Sequence, residues 1–218
     1  MNYQTLKLNT WPRAEHFKFY KDAAQPWFNI CCNVNASKLY RHCKQQGYSF
    51  FHAYLYLTQQ AINRNEAFQY RIVGDEVRLY NDISISIAIL ANDEMMRFCN
   101  LAYATPFSKF TQLASKTEKK VKSEPFIAAN FVGGEMLQNV IHMTVLPWFS
   151  FTSFSHARTN SSVDSIPKVA FGKLNQQGSI MLMPLSVEVH HGVMDGLHVG
   201  RFVDTLQKIF DHPELLDK

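Results

Sequence analysis

The stretch GSIMLMPLSVEVHHGVMDGLHVGRF, residues 178–202, constrains this chain more than any other. An apolar strand, MLMPLSVEV, runs into the polar cluster His190-His191-Gly192-Val193-Met194-Asp195-Gly196. The spacing then turns helical from about Leu197 to Phe210, with Val199, Phe202, Val203, Leu206 and Phe210 facing inward. A strand that hands over to an amphipathic helix needs a sheet and a helical layer packed together. The polar cluster falls at the strand end, where side chains reach a cleft, and its glycines permit tight backbone turns.

The rest of the chain fits the same layered plan. Asn35 or Ser37 caps a short helix closed by Gly47, and Ser49 precedes a longer one, FFHAYLYLTQQAINRN. Phe50, Ala53, Tyr54, Leu57 and Ala61 form its apolar stripe, and His52 is expected to be a satisfied helix histidine. FQYRIV and VRLY flank a tight turn at Gly74-Asp75-Glu76. In ISISIAIL, Ile83, Ile85, Ile87 and Ile89 alternate with small residues, so one face buries against helices. The other face lies under a thinner layer or at a subunit contact. Pro106 opens an amphipathic helix whose buried side is Phe107, Phe110, Leu113 and Ala114, and Pro125 ends it. Gly133-Gly134 marks a turn. VIHMTVLPWFSFTSF is strand-like apart from Pro147, HARTNSSVDS is a loop, and KVAFGKL is a further strand. The expected fold is α+β, a two-layer α/β sandwich of mixed sheet and helices in one domain, residues 1–218.

Composition removes several classes of function. Apolar residues make up 46% of the chain and charged residues 18%, which disfavours disorder. No apolar run is long enough for a membrane span, and the amino terminus lacks a secretory h-region. Twenty-two Lys and Arg against eighteen Asp and Glu leave a mild excess of +4. Lys116 to Lys122 suits the wet face of a helix, so no nucleic-acid partner is expected. Cys31, Cys32, Cys43 and Cys99 lack metal spacing and read as free thiols in a reducing, cytoplasmic setting. His190, His191 and Asp195 suggest a metal, but adjacent strand residues point opposite ways and no further ligand follows, so none is assigned.

HHGVMDG fits the pattern HHxxxDG, and TWPRAEHFKFY, PWFSFTSF and the 178–202 stretch stand in matching order along the chain. In these motifs the sequence resembles the chloramphenicol O-acetyltransferases of the acyl-CoA-dependent acyltransferase superfamily. The resemblance implies acetyl transfer from acetyl-CoA, a cosubstrate rather than a tightly bound cofactor, to a hydroxyl of chloramphenicol. Another small alcohol, or a ligand-binding oligomer without catalysis, remains the alternative. It further implies a homotrimer with active sites between subunits.

The resemblance assigns residues as well. His191 matches the general base, a role that suits an imidazole near neutral pH. His190 then orients or packs. Asp195 supports the architecture through an ion pair with Arg13 rather than serving a Ser-His-Asp triad. Ser153 matches the hydroxyl that stabilises the transition state, with Ser150 and Thr152 as nearby competitors. Phe19, Tyr20 and Ala24 in EHFKFYKDAAQPWF occupy acceptor-pocket positions. No residue is assigned to cofactor binding.

Overall fold

The computed structural model describes residues 3–126, 137–157 and 164–218. The chain begins with strand β1 (Tyr3–Thr5), helix α1 (Ala14–Tyr20) and strand β2 (Trp27–Asn35). Helices α2 (Ser37–Gln46) and α3 (Phe50–Asn63) follow, then β3 (Tyr70–Val73) and β4 (Glu76–Tyr80). After β5 (Ser84–Leu90) and β6 (Met96–Leu101) comes α4 (Phe107–Lys122). The remainder holds β7 (Val140–Val145), β8 (Lys168–Phe171), β9 (Asn175–Gln177), β10 (Ile180–His190) and α5 (Gly196–Phe210).

Seven strands form one mixed sheet in the order β2-β10-β8-β7-β5-β6, with β9 paired to the start of β10. β5, β7 and β8 run parallel, and the other pairings are antiparallel. β1, β4 and β3 make a smaller sheet. The expected layered α/β fold is therefore present. Register aligns Ile87, Met143, Val169 and Val187 across the main sheet, and all four are buried in the core. From the helical layer, Tyr54 meets Phe171 at 5.1 Å, and Phe68 packs on Phe202 at 4.5 Å. Among the described residues no helix is long and apolar enough to cross a membrane.

Local signals behave as their chemistry predicts, with instructive exceptions. Ser49 caps α3 by accepting the His52 amide, and Gly47 ends α2 at a φ of 71°. His52 is satisfied by Glu118 at 3.0 Å, which joins α3 to α4. Ala36 stands at the N-cap of α2 with no side-chain cap. The expected Asn35 accepts the amide of Ser37, the first helical residue, while the Ser37 hydroxyl accepts the Met181 amide of β10 and ties the helix to the sheet. α3 is buried well beyond one stripe, Leu55, Tyr56, Thr58 and Gln59 included, because neighbours cover most of its circumference. Leu113, expected inside, is 40% exposed, and Val203 is only half-buried. β7 stops at Val145, and residues 147–157 contain no strand. Gly133-Gly134 and most of HARTNSSVDS lie outside the described residues.

One buried cation joins the two sheets. The Arg71 guanidinium donates to the carbonyls of Phe68, Tyr70, Gln138 and Val140 at 2.6–2.8 Å. Burial pulls its pKa down, and four of the five N–H groups of the planar fork are taken by backbone oxygens rather than by a carboxylate. Arg71→Leu should therefore lower unfolding stability by at least about 2 kcal/mol, because buried carbonyls lose their donors. Arg71→Lys, with a single ammonium in place of the fork, should recover only part of it. Urea midpoints of the two variants against the parent check this.

Candidate active site

The apolar run of β10, an interior strand, ends at His190, and His191 follows in the turn with different surroundings. His190 is fully buried and lies edge-on to Trp27 at 5.9 Å. Its Nδ1 accepts the Gly192 amide at 3.0 Å. A Cβ at position 192 would stand 3.0 Å from that ring, so glycine is what lets the turn close over it. His190 is thus a packing residue.

His191 begins the turn, its amide held by the Pro26 carbonyl at 2.7 Å. Its ring stacks on Tyr20 with centroids 4.5 Å apart and planes 2° from parallel. Phe28 approaches it at 4.8 Å. Nδ1 is buried and has no hydrogen-bond partner among the described residues. Aromatic packing, rather than a carboxylate, holds this imidazole in place.

Arg13 secures the backbone below. It donates from Nη1 to Asp195 Oδ2 at 2.7 Å and from Nη2 to the His191 carbonyl at 3.2 Å. Asp195 also caps α5 by accepting the Leu197 amide, and its Oδ1 lies 2.8 Å from His198 Nδ1. Partial burial opposes its ionisation, but Arg13 and His198 outweigh that and hold the carboxyl down at about 2. Among the described residues Asp195 makes no hydrogen bond to the His191 ring, so the geometry is not that of a Ser-His-Asp triad.

The other expected site residues are more dispersed. Phe19 touches Tyr20 edge-on at 4.9 Å but is 77% exposed, and Ala24 is exposed on the connection to β2. Ser153 is exposed on the irregular 147–157 segment, not on a strand. Proline at 147 interrupts the strand. Beyond it the chain is held to the residues after β8 by a bond from the Lys173 amide to the Phe149 carbonyl at 3.0 Å and by the Phe151 ring over Gly172, where a Cβ would stand 3.1 Å away. Ser150 accepts a hydrogen bond from Asn175.

A cavity of about 900 Å³ opens near the start of β10, with Tyr54, Trp148, Met181 and Met183 among its apolar walls. Lys122 and Lys173 line it too. Thr144 supplies the only serine or threonine hydroxyl on that wall among the described residues. Sequence reasoning missed Thr144, although the alternation in VIHMTV signals that it shares a face with His142. Phe28 closes the segment EHFKFYKDAAQPWF that the resemblance sets at the acceptor pocket, but the motifs assign it no role of its own. His191 lies beyond the far end of β10 from Met183. Seven residues of extended strand already put Met183 and His190 roughly 24 Å apart, and His191 lies one residue further on.

A family model described as chloramphenicol acetyltransferase matches residues 1–207. The chain is 30% identical over 215 residues to the chloramphenicol acetyltransferase of Staphylococcus aureus, covering 98% of each. It is 28% identical over 210 residues to chloramphenicol acetyltransferase 3 of Escherichia coli, covering 96% of this chain and 97% of that one. A solved chloramphenicol acetyltransferase superposes with a TM-score of 0.82 at 25% identity, covering 95% of this chain and 99% of its own. A resemblance first carried by HHGVMDG and its flanking strand thus extends over sequence and fold, and the chain belongs to the chloramphenicol acetyltransferase family within the CoA-dependent acyltransferase superfamily.

Proposed function

We propose that this protein transfers acetyl from acetyl-CoA to a hydroxyl of chloramphenicol or a related small alcohol, with His191 as general base. The observation that carries this reading is the imidazole packed between Tyr20 and Phe28 with Nδ1 buried. A proton retained on Nδ1 leaves the Nε2 lone pair for substrate. Nε2 takes the alcohol proton as the oxygen attacks the thioester carbonyl. The tetrahedral intermediate collapses by breaking the C–S bond, and the imidazolium returns the proton to the CoA thiolate. The products are the acetyl ester and free CoA, formed in a ternary complex without an acyl-enzyme.

The separation of His191 from the cavity supports a site shared between chains. One copy's base and another's cavity meet if copies associate head to tail in a closed ring. Three copies is the number the family resemblance supplies. The cavity suits the acyl donor, being mostly apolar with lysines on its wall. Phe19 and Ala24, exposed in one chain, are then acceptor contacts completed by association. The four cysteines are free, which suits a reducing cytoplasm.

Two hydroxyls compete to stabilise the oxyanion. Ser153 is the one the motif resemblance assigns, and Thr144 is the one on the cavity wall. Asp195 and Arg13 hold the turn and the His191 carbonyl, so their contribution is positional.

Release of free CoA should require both acetyl-CoA and chloramphenicol or a related alcohol. His191→Ala should cut turnover by roughly 10²–10⁴-fold without altering the assembly seen by gel filtration; full turnover in that variant overturns the mechanism. Between Ser153→Ala and Thr144→Ala, the variant that removes the oxyanion donor should lose about 10²–10³ in kcat, and the other should stay near the parent. Asp195 has a depressed pKa in the folded protein, so its stabilising effect is complete above about pH 4 and is lost as pH falls through about 2. Asp195→Asn should lower Tm at neutral pH and flatten the fall in Tm across that acid window, which thermal scans from pH 7 to pH 2 would show.

A further inference from the structure

The Asp195 carboxylate is gripped at both oxygens, from two different elements. Oδ2 takes the Arg13 guanidinium at 2.7 Å, and Arg13 also holds the His191 carbonyl at 3.2 Å. Oδ1 serves α5, accepting the Leu197 amide at 3.2 Å and lying 2.8 Å from His198 Nδ1. Of these partners only His198 has no part in the acetyl-transfer reading above.

His198 is the third residue of α5, and its ring stands within reach of two groups that it cannot serve at once. The Asp195 amide points at the same Nδ1 from 3.2 Å. An imidazole nitrogen holds either a proton or a lone pair. With a lone pair, Nδ1 accepts the amide and completes a reciprocal cap of the helix, but it then turns that lone pair on an anionic oxygen 2.8 Å away. With a proton, Nδ1 donates to the carboxylate and leaves the amide without it. The carboxylate decides between the two. Partial burial works against its ionisation, yet Arg13 and His198 hold the carboxyl down at about 2. A bond to a charged acceptor is about twice as strong as one between neutral groups, and the shorter contact is the one to the carboxylate. Nδ1 therefore carries the proton whether the ring is neutral or charged.

We infer that His198 is a positioning residue for the acetyl-transfer reaction: Nδ1–H grips Asp195 Oδ1, which keeps Oδ2 aligned on Arg13 and Arg13 on the His191 carbonyl. A carboxylate held firmly at one oxygen swings about its last side-chain bond and carries the other oxygen with it. The second grip removes that freedom, and the turn that bears His191 inherits the order. The inference rests on the reading of His191 as the base, and it extends to α5 the chain of contacts that orients the ring.

Three substitutions separate this role from packing and from helix capping. His198→Asn places an amide nitrogen where Nδ1 stood and keeps a donor, whereas His198→Leu keeps bulk and loses it. His198→Glu restores a helix cap through an acceptor but repels Asp195. In CoA release with acetyl-CoA and chloramphenicol, His198→Leu should lower kcat roughly five- to thirtyfold and move neither KM by more than about twofold. His198→Asn should return to within about threefold of the parent, and His198→Glu should be as slow as His198→Leu while melting no lower. Imidazole ¹⁵N spectra at about pH 8 should show His198 protonated on Nδ1, and Asp195→Ala should move the proton of the neutral ring to Nε2. The His191 ring signals should shift in His198→Leu and stay in place in His198→Asn. Parent-like kcat in a folded His198→Leu, an asparagine variant no faster than the leucine one, a fast His198→Glu, or a neutral parent ring protonated only on Nε2 overturns the inference. A parent enzyme that releases no CoA with any alcohol defeats the acetyl-transfer reading instead. The His191 signals then judge the positioning alone: a shift with leucine and none with asparagine upholds it, and any other pattern rejects it.

Discussion

Arg13 is the hinge pin of the site. It stands just before α1, far in sequence from the turn after β10, and one guanidinium holds both the Asp195 carboxylate and the His191 carbonyl. The carboxylate in turn caps α5. The same contact thus joins the first helix, the end of the longest strand and the start of the last helix. Its directional, bidentate character explains why an arginine suits the position, since a lysine ammonium would hold only one of the two oxygens well. Once Arg13 is engaged, α1 brings Tyr20 against the His191 ring, and the imidazole acquires its orientation from packing.

The main sheet divides its two faces between apolar packing and a row of paired polar side chains. Alternate residues of β5, β7, β8 and β10 send Ile87, Met143, Val169 and Val187 into the helical layer. The intervening residues send Ser86, His142, Lys168 and Glu188 the other way. Such a face is costly to bury unless its members are paired, and the Asp164–Lys168–His142 chain does this at its centre. The apolar face supplies the rigidity on which a polar face of fixed geometry depends. Arg71 adds to this by tying β3 to the approach to β7, the strand that carries both His142 and Thr144.

Much of the fold was legible from spacing alone. The isoleucines of ISISIAIL, the hairpin around Gly74, the Ser49 cap and the helix after Pro106 each depend on residues within a turn or two of one another. Reading failed where a distant neighbour decides burial. Leu113 has the spacing of a core residue yet faces outward, and Thr58 and Gln59 are polar yet fully enclosed. Ser153 sits in a strand-like string, but Pro147 interrupts it and no strand forms over residues 147–157.

The chain's own order determined the apolar strand, the turn HHGVMDG and the helix beyond it, because these follow from local periodicity and glycine placement. Tertiary structure decided the rest. The Tyr20 stack on His191, the Arg13 clamp, the polar row and the separation of His191 from the cavity involve residues that no local pattern links. Strand register and helix packing bring them together, and those are set by the burial of the whole core rather than by any one segment.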